Sequence, residues 1–262
     1  MKRFLKSVGL VTMFVLLFAV TTLVVGAPVT FLTSDMTADV SLMLVYFSSM
    51  IAVYGVTLLI ERLAFKRLNV VYNSRAGFDP VSLLLGVLLI ISVSVVILPL
   101  EGVISSDSRT FPEGVGTLIT VVLLAPIFEE MIFRARLYNI LSRNTSPLVS
   151  ASLSAVAFGV VHMEPIVVIE ALIVGVIFSY FYLSKRSIFS PILLHMFNNA
   201  LAYALIVLSN DGVSLSDIVG SGQMSLIIYM VCAAIVLLGA VVIIRFYIME
   251  KRRTRGVECQ DM

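Results

Sequence analysis

The chain has 262 residues, of which 60% are hydrophobic and only 13% are charged, and its formal net charge is +2. A water-soluble domain of this size has no need of so apolar a composition, so these values exclude an ordinary soluble enzyme and predict a polytopic membrane protein. The small net charge gives no reason to expect a nucleic-acid partner, and the lipid bilayer is the expected surrounding.

The apolar runs predict eight helices in one all-α transmembrane bundle. A helix needs about 20 apolar residues to cross a hydrocarbon core of roughly 30 Å, because each backbone N–H and C=O must be paired within its own segment. In chain order the predicted helices cover residues 8–29, 40–60, 80–100, 115–133, 147–162, 166–183, 188–208 and 224–246. The connections are too short for a second domain, so residues 1–262 are expected to form one membrane-embedded domain.

The two ends of the chain carry signals that we interpret as structural. The first apolar run is longer than the ~7–15-residue core of a signal peptide, so we expect it to remain as a helix. The tail Cys259-Gln260-Asp261-Met262 has the outline of a prenylation box, but its polar middle positions argue against lipidation. Because Cys232 lies in the last predicted helix and Cys259 in the tail, we expect no disulfide.

The Lys and Arg residues predict the orientation of the bundle. All 18 except Arg109 lie before helix one, around the connections that follow helices two, four and six, or near the end of the chain. The positive-inside rule therefore places both termini and these connections in the cytoplasm. The expected location is the cell membrane.

Two adjacent carboxylates, Glu129 and Glu130, lie about one turn inside the cytoplasmic end of helix four. An unpaired charge in a membrane is costly, up to ~2.5–3.5 kcal/mol at a helix centre. Arg134 follows Glu130 by four residues, a spacing that favours an ion pair on one helix face. Glu129 has Phe133 at the same spacing, so it requires a partner on another helix.

The chain has two histidines, His162 and His195, and both lie in apolar helices. A lone buried histidine is more often a core residue than a catalyst, but here both accompany an intramembrane glutamate pair, which favours chemistry. Asn199 follows His195 by four residues, so the two side chains project from one helix face and can act on one ligand. Asn198 is expected to point elsewhere.

Three spaced motifs follow one another on successive polar-bearing helices: Glu129-Glu130-x-x-x-Arg134, Phe158-x-x-x-His162 and His195-x-x-x-Asn199. In this order and spacing they resemble the motifs of the CPBP family, the CAAX proteases and bacteriocin-processing enzymes also called Abi-type intramembrane proteases. The likeness covers roughly residues 115–205, which we interpret as the catalytic core. The first three helices and the last carry no motif of this kind.

The resemblance implies hydrolysis of peptide bonds in a membrane-embedded cavity open to the cytoplasm. It implies that Glu129 and His162 activate a water molecule, and that His195 and Asn199 stabilise the oxyanion. Glu130, Arg134 and Phe158 would support these groups. Membrane peptides and protein tails are the implied substrates, whether prenylated CaaX tails, bacteriocin or pheromone leaders, or other membrane peptides, and no residue selects among them.

The resemblance leaves metal dependence open, since enzymes of this kind have been classed both as metalloproteases and as glutamate proteases. A zinc ion would take Glu129, His162 and His195 as ligands. The chain has no His-Glu-x-x-His helix, and a zinc site would use both of its histidines. We therefore predict that the protein needs no metal cofactor.

The depth of His162 in helix five sets a geometric requirement. At 1.5 Å per residue it lies ~22 Å along that helix, whereas Glu129 and His195 lie only ~8–13 Å from their cytoplasmic ends. Helix five must therefore bend, tilt or stop short, and Met163-Glu164-Pro165 is where a hairpin could turn inside the bilayer. For Glu170 we favour a structural hydrogen bond over a role as partner of His162.

Two other functions are compatible with buried polar residues. A proton-coupled transporter would also bury Glu, His and Arg, but it would more often show paired repeat halves with broken helices, which this sequence lacks. A non-catalytic scaffold or immunity protein of the same fold could dispense with the motif residues. Because every motif position is filled, the sequence favours the protease.

Overall fold

The computed structural model describes residues 2–65, 79–104, 112–210 and 215–260. Within these ranges the chain forms nine helices and no strand, which confirms the all-α fold class. The helices are α1 (Lys2–Leu32), α2 (Ala38–Phe65), α3 (Pro80–Ile104), α4 (Val115–Ser142), α5 (Pro147–Val160), α6 (Pro165–Lys185), α7 (Phe189–Asn210), α8 (Leu215–Val219) and α9 (Gln223–Gln260). Several residues of the sequence predictions lie outside the described ranges: Lys66, Arg67, Arg75, Arg109, Asp261 and Met262.

The eight predicted helices correspond to α1–α7 and α9, and the polytopic bundle is confirmed. Seven of the described helices are long and apolar enough to cross a membrane. The remaining predicted helix, α5, is apolar but has only 14 residues. Two helices continue well past their predicted ends: α9, which was predicted to end at residue 246, continues to Gln260, and α4, which was predicted to end at residue 133, continues to Ser142. Arg134 and Arg136 lie inside this helix because carboxylates on α4 and α2 pair with them.

The short helix α5 turns back into α6 without a long connection. It has 14 residues, about 21 Å at 1.5 Å per residue, and it ends two residues before His162. His162 therefore lies at the far end of α5 from Pro147, and its approach to Glu129 remains a prediction. Met163 adopts a left-handed backbone with φ of 64°, and Pro165 starts α6. The two helices approach closely at Gly159, where an added Cβ would lie 3.0 Å from the carbonyl oxygen of Val168.

This hairpin has a consequence for the predicted orientation. Because α5 and α6 pack against each other in opposite directions, the chain leaves the hairpin on the side where it entered, whether or not α5 crosses the bilayer. The orientation itself remains a prediction.

The helix α4 is interrupted by two π-helical turns, Thr120–Leu124 and Phe133–Tyr138. Between them, the regular α-helical segment Ala125–Ile132 carries both Glu129 and Glu130. A π turn inserts an extra residue into a helix and often occurs at functional sites. The two turns therefore set the directions in which the glutamates leave α4.

The main core lies where α4, α5, α6 and α7 meet. Phe133, Phe158 and Phe178 are among its largest fully buried side chains. By contrast, the described parts of α1 and α9 expose large apolar residues such as Leu23 and Leu237, as expected of helices that face lipid. Cys232 on α9 is a free thiol.

Candidate active site

Glu130 and Arg134 form an ion pair in the protein interior. Arg134 Nη1 lies 2.8 Å from Glu130 Oε1, and neither side chain is exposed. Arg134 Nη2 also donates to the carbonyl oxygen of Gly175 on α6 at 3.3 Å. The guanidinium carbon lies 4.4 Å from the ring centre of Phe158 and 5.4 Å from that of Phe178. The α4 spacing thus forms the pair that it predicted, and two aromatic rings stabilise the buried cation.

His195 lies between the two glutamates. Its Nδ1 is 3.0 Å from Glu130 Oε1, and its Nε2 is 3.7 Å from Glu129 Oε2. Since an ionised carboxylate only accepts hydrogen bonds, Nδ1 donates to Glu130 and Nε2 faces Glu129. The imidazole stacks on Phe178 and meets the edge of Phe158. The sequence grouped His195 with Asn199 and did not predict its contact with both acids.

Glu129 has the partner on another helix that its sequence position required. The hydroxyl of Tyr46 on α2 donates to Glu129 Oε1 at 2.8 Å. The Glu129 side chain is 13% exposed, whereas that of Glu130 is 0% exposed. Sequence reasoning missed Tyr46 because it lies outside every motif. The available signal was a phenol, which needs a hydrogen-bond partner, within the apolar run of α2.

His162 lies in the turn that follows α5 and is partly exposed. Its Nδ1 is 2.7 Å from the carbonyl oxygen of Phe158, so Nδ1 donates and Nε2 remains available. The Phe158 ring contacts both imidazoles, with its centre 4.9 Å from His162 and 5.5 Å from His195. No hydrogen bond or ion pair of the described residues joins His162 to Glu129, so a water molecule shared by these two groups remains a prediction.

Asn199 lies one turn after His195 on α7, as the spacing predicted. Its amide nitrogen donates to the carbonyl oxygen of Val121 on α4 at 2.9 Å. The amide nitrogen of Asn198 lies 3.4 Å from Asn199 Oδ1. With Oδ1 facing this donor, the amide group of Asn199 is held with its nitrogen toward α4.

Two further acids of the sequence analysis lie outside this group. Glu170 on α6 accepts a hydrogen bond from the Ser94 hydroxyl of α3 at 3.4 Å, which is a link between helices. Glu164 is exposed, and its backbone N–H donates to the carbonyl oxygen of His162.

A second buried ion pair joins α4 to α2 away from His195. Arg136 Nη1 lies 2.9 Å from Glu61 Oε2, and Nη2 donates to the Tyr54 hydroxyl at 3.1 Å. Two contacts thus join α2 to α4: this ion pair and the hydrogen bond from Tyr46 to Glu129.

The zinc alternative was tested against the side chains present. Among the residues that the structure describes, no group of three or more His, Cys, Asp or Glu side chains is arranged to hold a metal ion. The described residues therefore do not fit a zinc site, and independence from metal remains a prediction.

A family model of known proteins matches the part of the chain that carries the motifs. Residues 111–201 match a family model described as type II CAAX prenyl endopeptidase, Rce1-like. The matched segment runs from the start of α4 into α7 and contains all of the motif residues, which confirms the resemblance to the CAAX protease family. No curated protein and no solved structure shows a significant match to the chain.

Proposed function

We propose, from the membrane bundle and its match to type II CAAX prenyl endopeptidases, that this integral membrane protein is an intramembrane endopeptidase. The observation that carries the proposal is a buried series of contacts from Arg134 through Glu130 and His195 to the partly exposed Glu129. Such an arrangement of charge inside a membrane is costly and favours a functional site.

Glu129 is the general base in this proposal. One carboxylate oxygen is held by Tyr46, and the side chain is exposed enough to accept a proton from a water molecule within hydrogen-bond reach. The water oxygen attacks the carbonyl carbon of the scissile peptide bond, and its proton passes to Glu129 and then to the leaving amine nitrogen. The C–N bond breaks, leaving a carboxylic acid and an amine. His162 is proposed to orient the same water through its available Nε2.

His195 and Asn199 stabilise the negative charge on the carbonyl oxygen in this proposal. Glu130 and Arg134 fix the imidazole of His195, so Nε2 points toward Glu129. Because Nδ1–H is already bonded to Glu130, Nε2 donates to the reacting carbonyl oxygen in the doubly protonated form of the ring. Asn199 adds an N–H one turn along the same face of α7. Loss of one such donor typically lowers the rate by ~10²–10³.

The proposed substrates are membrane-associated peptides or protein tails, including prenylated tails, that reach the site from the cytoplasm of the cell. Ser216, exposed on α8, lies on the opposite side in this orientation. A cysteine introduced at Ser216, in a chain without its two natural cysteines, should react with an impermeant thiol reagent only from outside the cell. Reaction only from the cytoplasm would reverse the proposed orientation.

A cleavage screen tests the proposed activity. Detergent-purified protein is incubated with matched prenylated and unprenylated peptides, and the products are identified by mass spectrometry beside a Glu129→Gln control. We expect cleavage at one defined bond by the wild-type protein and none by the control. Equal cleavage by both proteins would contradict the role of Glu129, and the absence of cleavage across all membrane peptides would contradict the proposed function.

We also propose that no metal ion takes part in the reaction. Elemental analysis of active protein should find no stoichiometric zinc, and any inhibition by chelators should be indirect. One zinc per chain, with activity lost on its removal and restored on its return, would contradict this proposal.

A further inference from the structure

The first π turn of α4 leaves one backbone carbonyl without a donor in its own helix. The N–H of Ala125 bonds to the carbonyl oxygen of Thr120, five residues back. The next donor of that series, the N–H of residue 126, would bond to the carbonyl oxygen of Val121. Residue 126 is proline and has no N–H. The Val121 carbonyl therefore depends on a group from outside α4.

Asn199 of α7 supplies that group. Its amide nitrogen lies 2.9 Å from the Val121 carbonyl oxygen. A carbonyl without a hydrogen-bond partner is costly inside a bilayer. The hydrogen bond therefore does more than place Asn199: it joins α4 to α7 one turn away from His195.

The other π turn of α4 has a comparable link to a neighbouring helix. The hydroxyl of Ser154 on α5 donates to the carbonyl oxygen of Phe133 at 2.8 Å. The segment Ala125–Ile132, with both glutamates, is thus held at one end by α7 and at the other by α5. The link to α7 also fixes the distance between Glu129 and His195, since one residue lies on each of the two helices.

We propose that Asn199 also acts as a positioning residue, because its amide replaces the N–H that Pro126 lacks and sets the position of α4 against α7. The effect on catalysis rests on the proposed function, whereas the link between Pro126 and Asn199 does not. This role differs from oxyanion stabilisation in a testable way. A positional defect can be repaired by a donor elsewhere, and a missing oxyanion donor cannot.

A double-mutant cycle tests the proposal. Pro126→Ala restores an N–H that can bond to Val121, so Asn199→Ala should lower the melting temperature by several degrees in the wild-type background and by clearly less in the Pro126→Ala background. The rate test uses a peptide that the wild-type protein cleaves. The double variant with Pro126→Ala and Asn199→Ala should cleave it about tenfold faster than Asn199→Ala alone, the size expected of one ordinary hydrogen bond. The rest of the loss measures the oxyanion role.

Ser154→Ala is the matched control, because it removes a side-chain donor from the other π turn of the same helix. Its effect on the melting temperature should be the same with and without Pro126→Ala. The link to Pro126 would be overturned if Asn199→Ala lowered the melting temperature equally in both backgrounds. It would also be overturned if Asn199→Ala gave no folded protein in both backgrounds. Restored melting without any recovery of cleavage would overturn the positioning role. If the wild-type protein cleaves nothing, the proposed function fails, and the melting cycle still decides the link.

Discussion

The two adjacent acids of α4, Glu129 and Glu130, lie on different sides of the helix and have different surroundings. On the side that faces α6 and α7, Glu130 is fully buried and bonds to both Arg134 and His195. On the side that faces α2, Glu129 is partly exposed and accepts a hydrogen bond from Tyr46. The difference indicates that neighbours in sequence need not share a role: the buried side encloses Glu130 between an arginine and a histidine, and the open side leaves the Glu129 side chain partly exposed.

Arg134→Met would remove the cation from the buried side and should have the largest effect on stability. The fully buried Glu130 carboxylate would lose its cationic partner, and breaking a buried pair in this way costs about 3–5 kcal/mol. Thermal melting in detergent measures the effect. Arg62→Met, at an exposed position near the end of α2, is the control and should melt as the wild-type protein does. Equal melting of all three proteins would mean that the buried pair does not hold α4.

Gly175→Ala tests the packing of the same side without changing a charge. An added Cβ would lie 3.0 Å from the Cβ of Ala155 and 3.2 Å from Arg134 Nη2, so we expect a loss of about 1–3 kcal/mol from overpacking. Gly55→Ala is the control, because its added Cβ meets nothing within 4 Å. A melting temperature that falls equally in both variants would point to a general cost of alanine in these helices.

Tyr46→Phe tests the open side and should affect the rate more than the fold. Removing the hydroxyl frees Glu129 to rotate away from the water it activates, and we expect roughly a tenfold fall in kcat with little change in KM, the size of one charge-assisted hydrogen bond. Tyr54→Phe makes the same chemical change on α2 beside Arg136 and should leave kcat nearly unchanged. Similar kcat values for Tyr46→Phe and wild type would remove Tyr46 from the site.

The smallest expected effect lies far from both acids, where Asp79 pairs with Lys185 at 2.7 Å. The hydrogen bond from Lys185, followed by that from Ser82, holds the pKa of Asp79 well below its usual range. The pair therefore stabilises the fold above pH ~4, the ordinary pKa of Asp, and this contribution is lost as the pH falls below that value. Lys185→Ala should melt slightly below wild type at pH 7, with a gap that narrows below pH 4. A gap that is constant with pH would contradict the pairing.

The sequence predicted those parts of the site that depend on local spacing. The pairing of Glu130 with Arg134 follows from four residues on one helix, and the shared face of His195 and Asn199 follows from the same rule. The need for a partner of Glu129 was also predictable, because no charge stood at the right spacing. Its identity was not, since Tyr46 reaches Glu129 only through the packing of α2 against α4.

Irregularities of the backbone determine the parts of the site that could not be predicted from the sequence. The π turns of α4 change the direction of every later side chain, and hydrophobic periodicity does not reveal them. Pro126 was a visible signal, but its consequence for Asn199 required the position of α7. The length of α5 was mistaken by two residues, because the apolar run continues through Val161 although the chain has already turned.

The most direct test of the central claim is a paired measurement of cleavage and melting for Glu129→Gln and Glu130→Gln. Glu129→Gln keeps the shape of the side chain and removes the base, so it should abolish cleavage and leave the melting temperature as in the wild-type protein. Glu130→Gln leaves the Arg134 cation buried without its carboxylate, so it should lower the melting temperature as well as the rate. An equal loss of activity with unchanged melting in both variants would contradict the division between the two sides of α4.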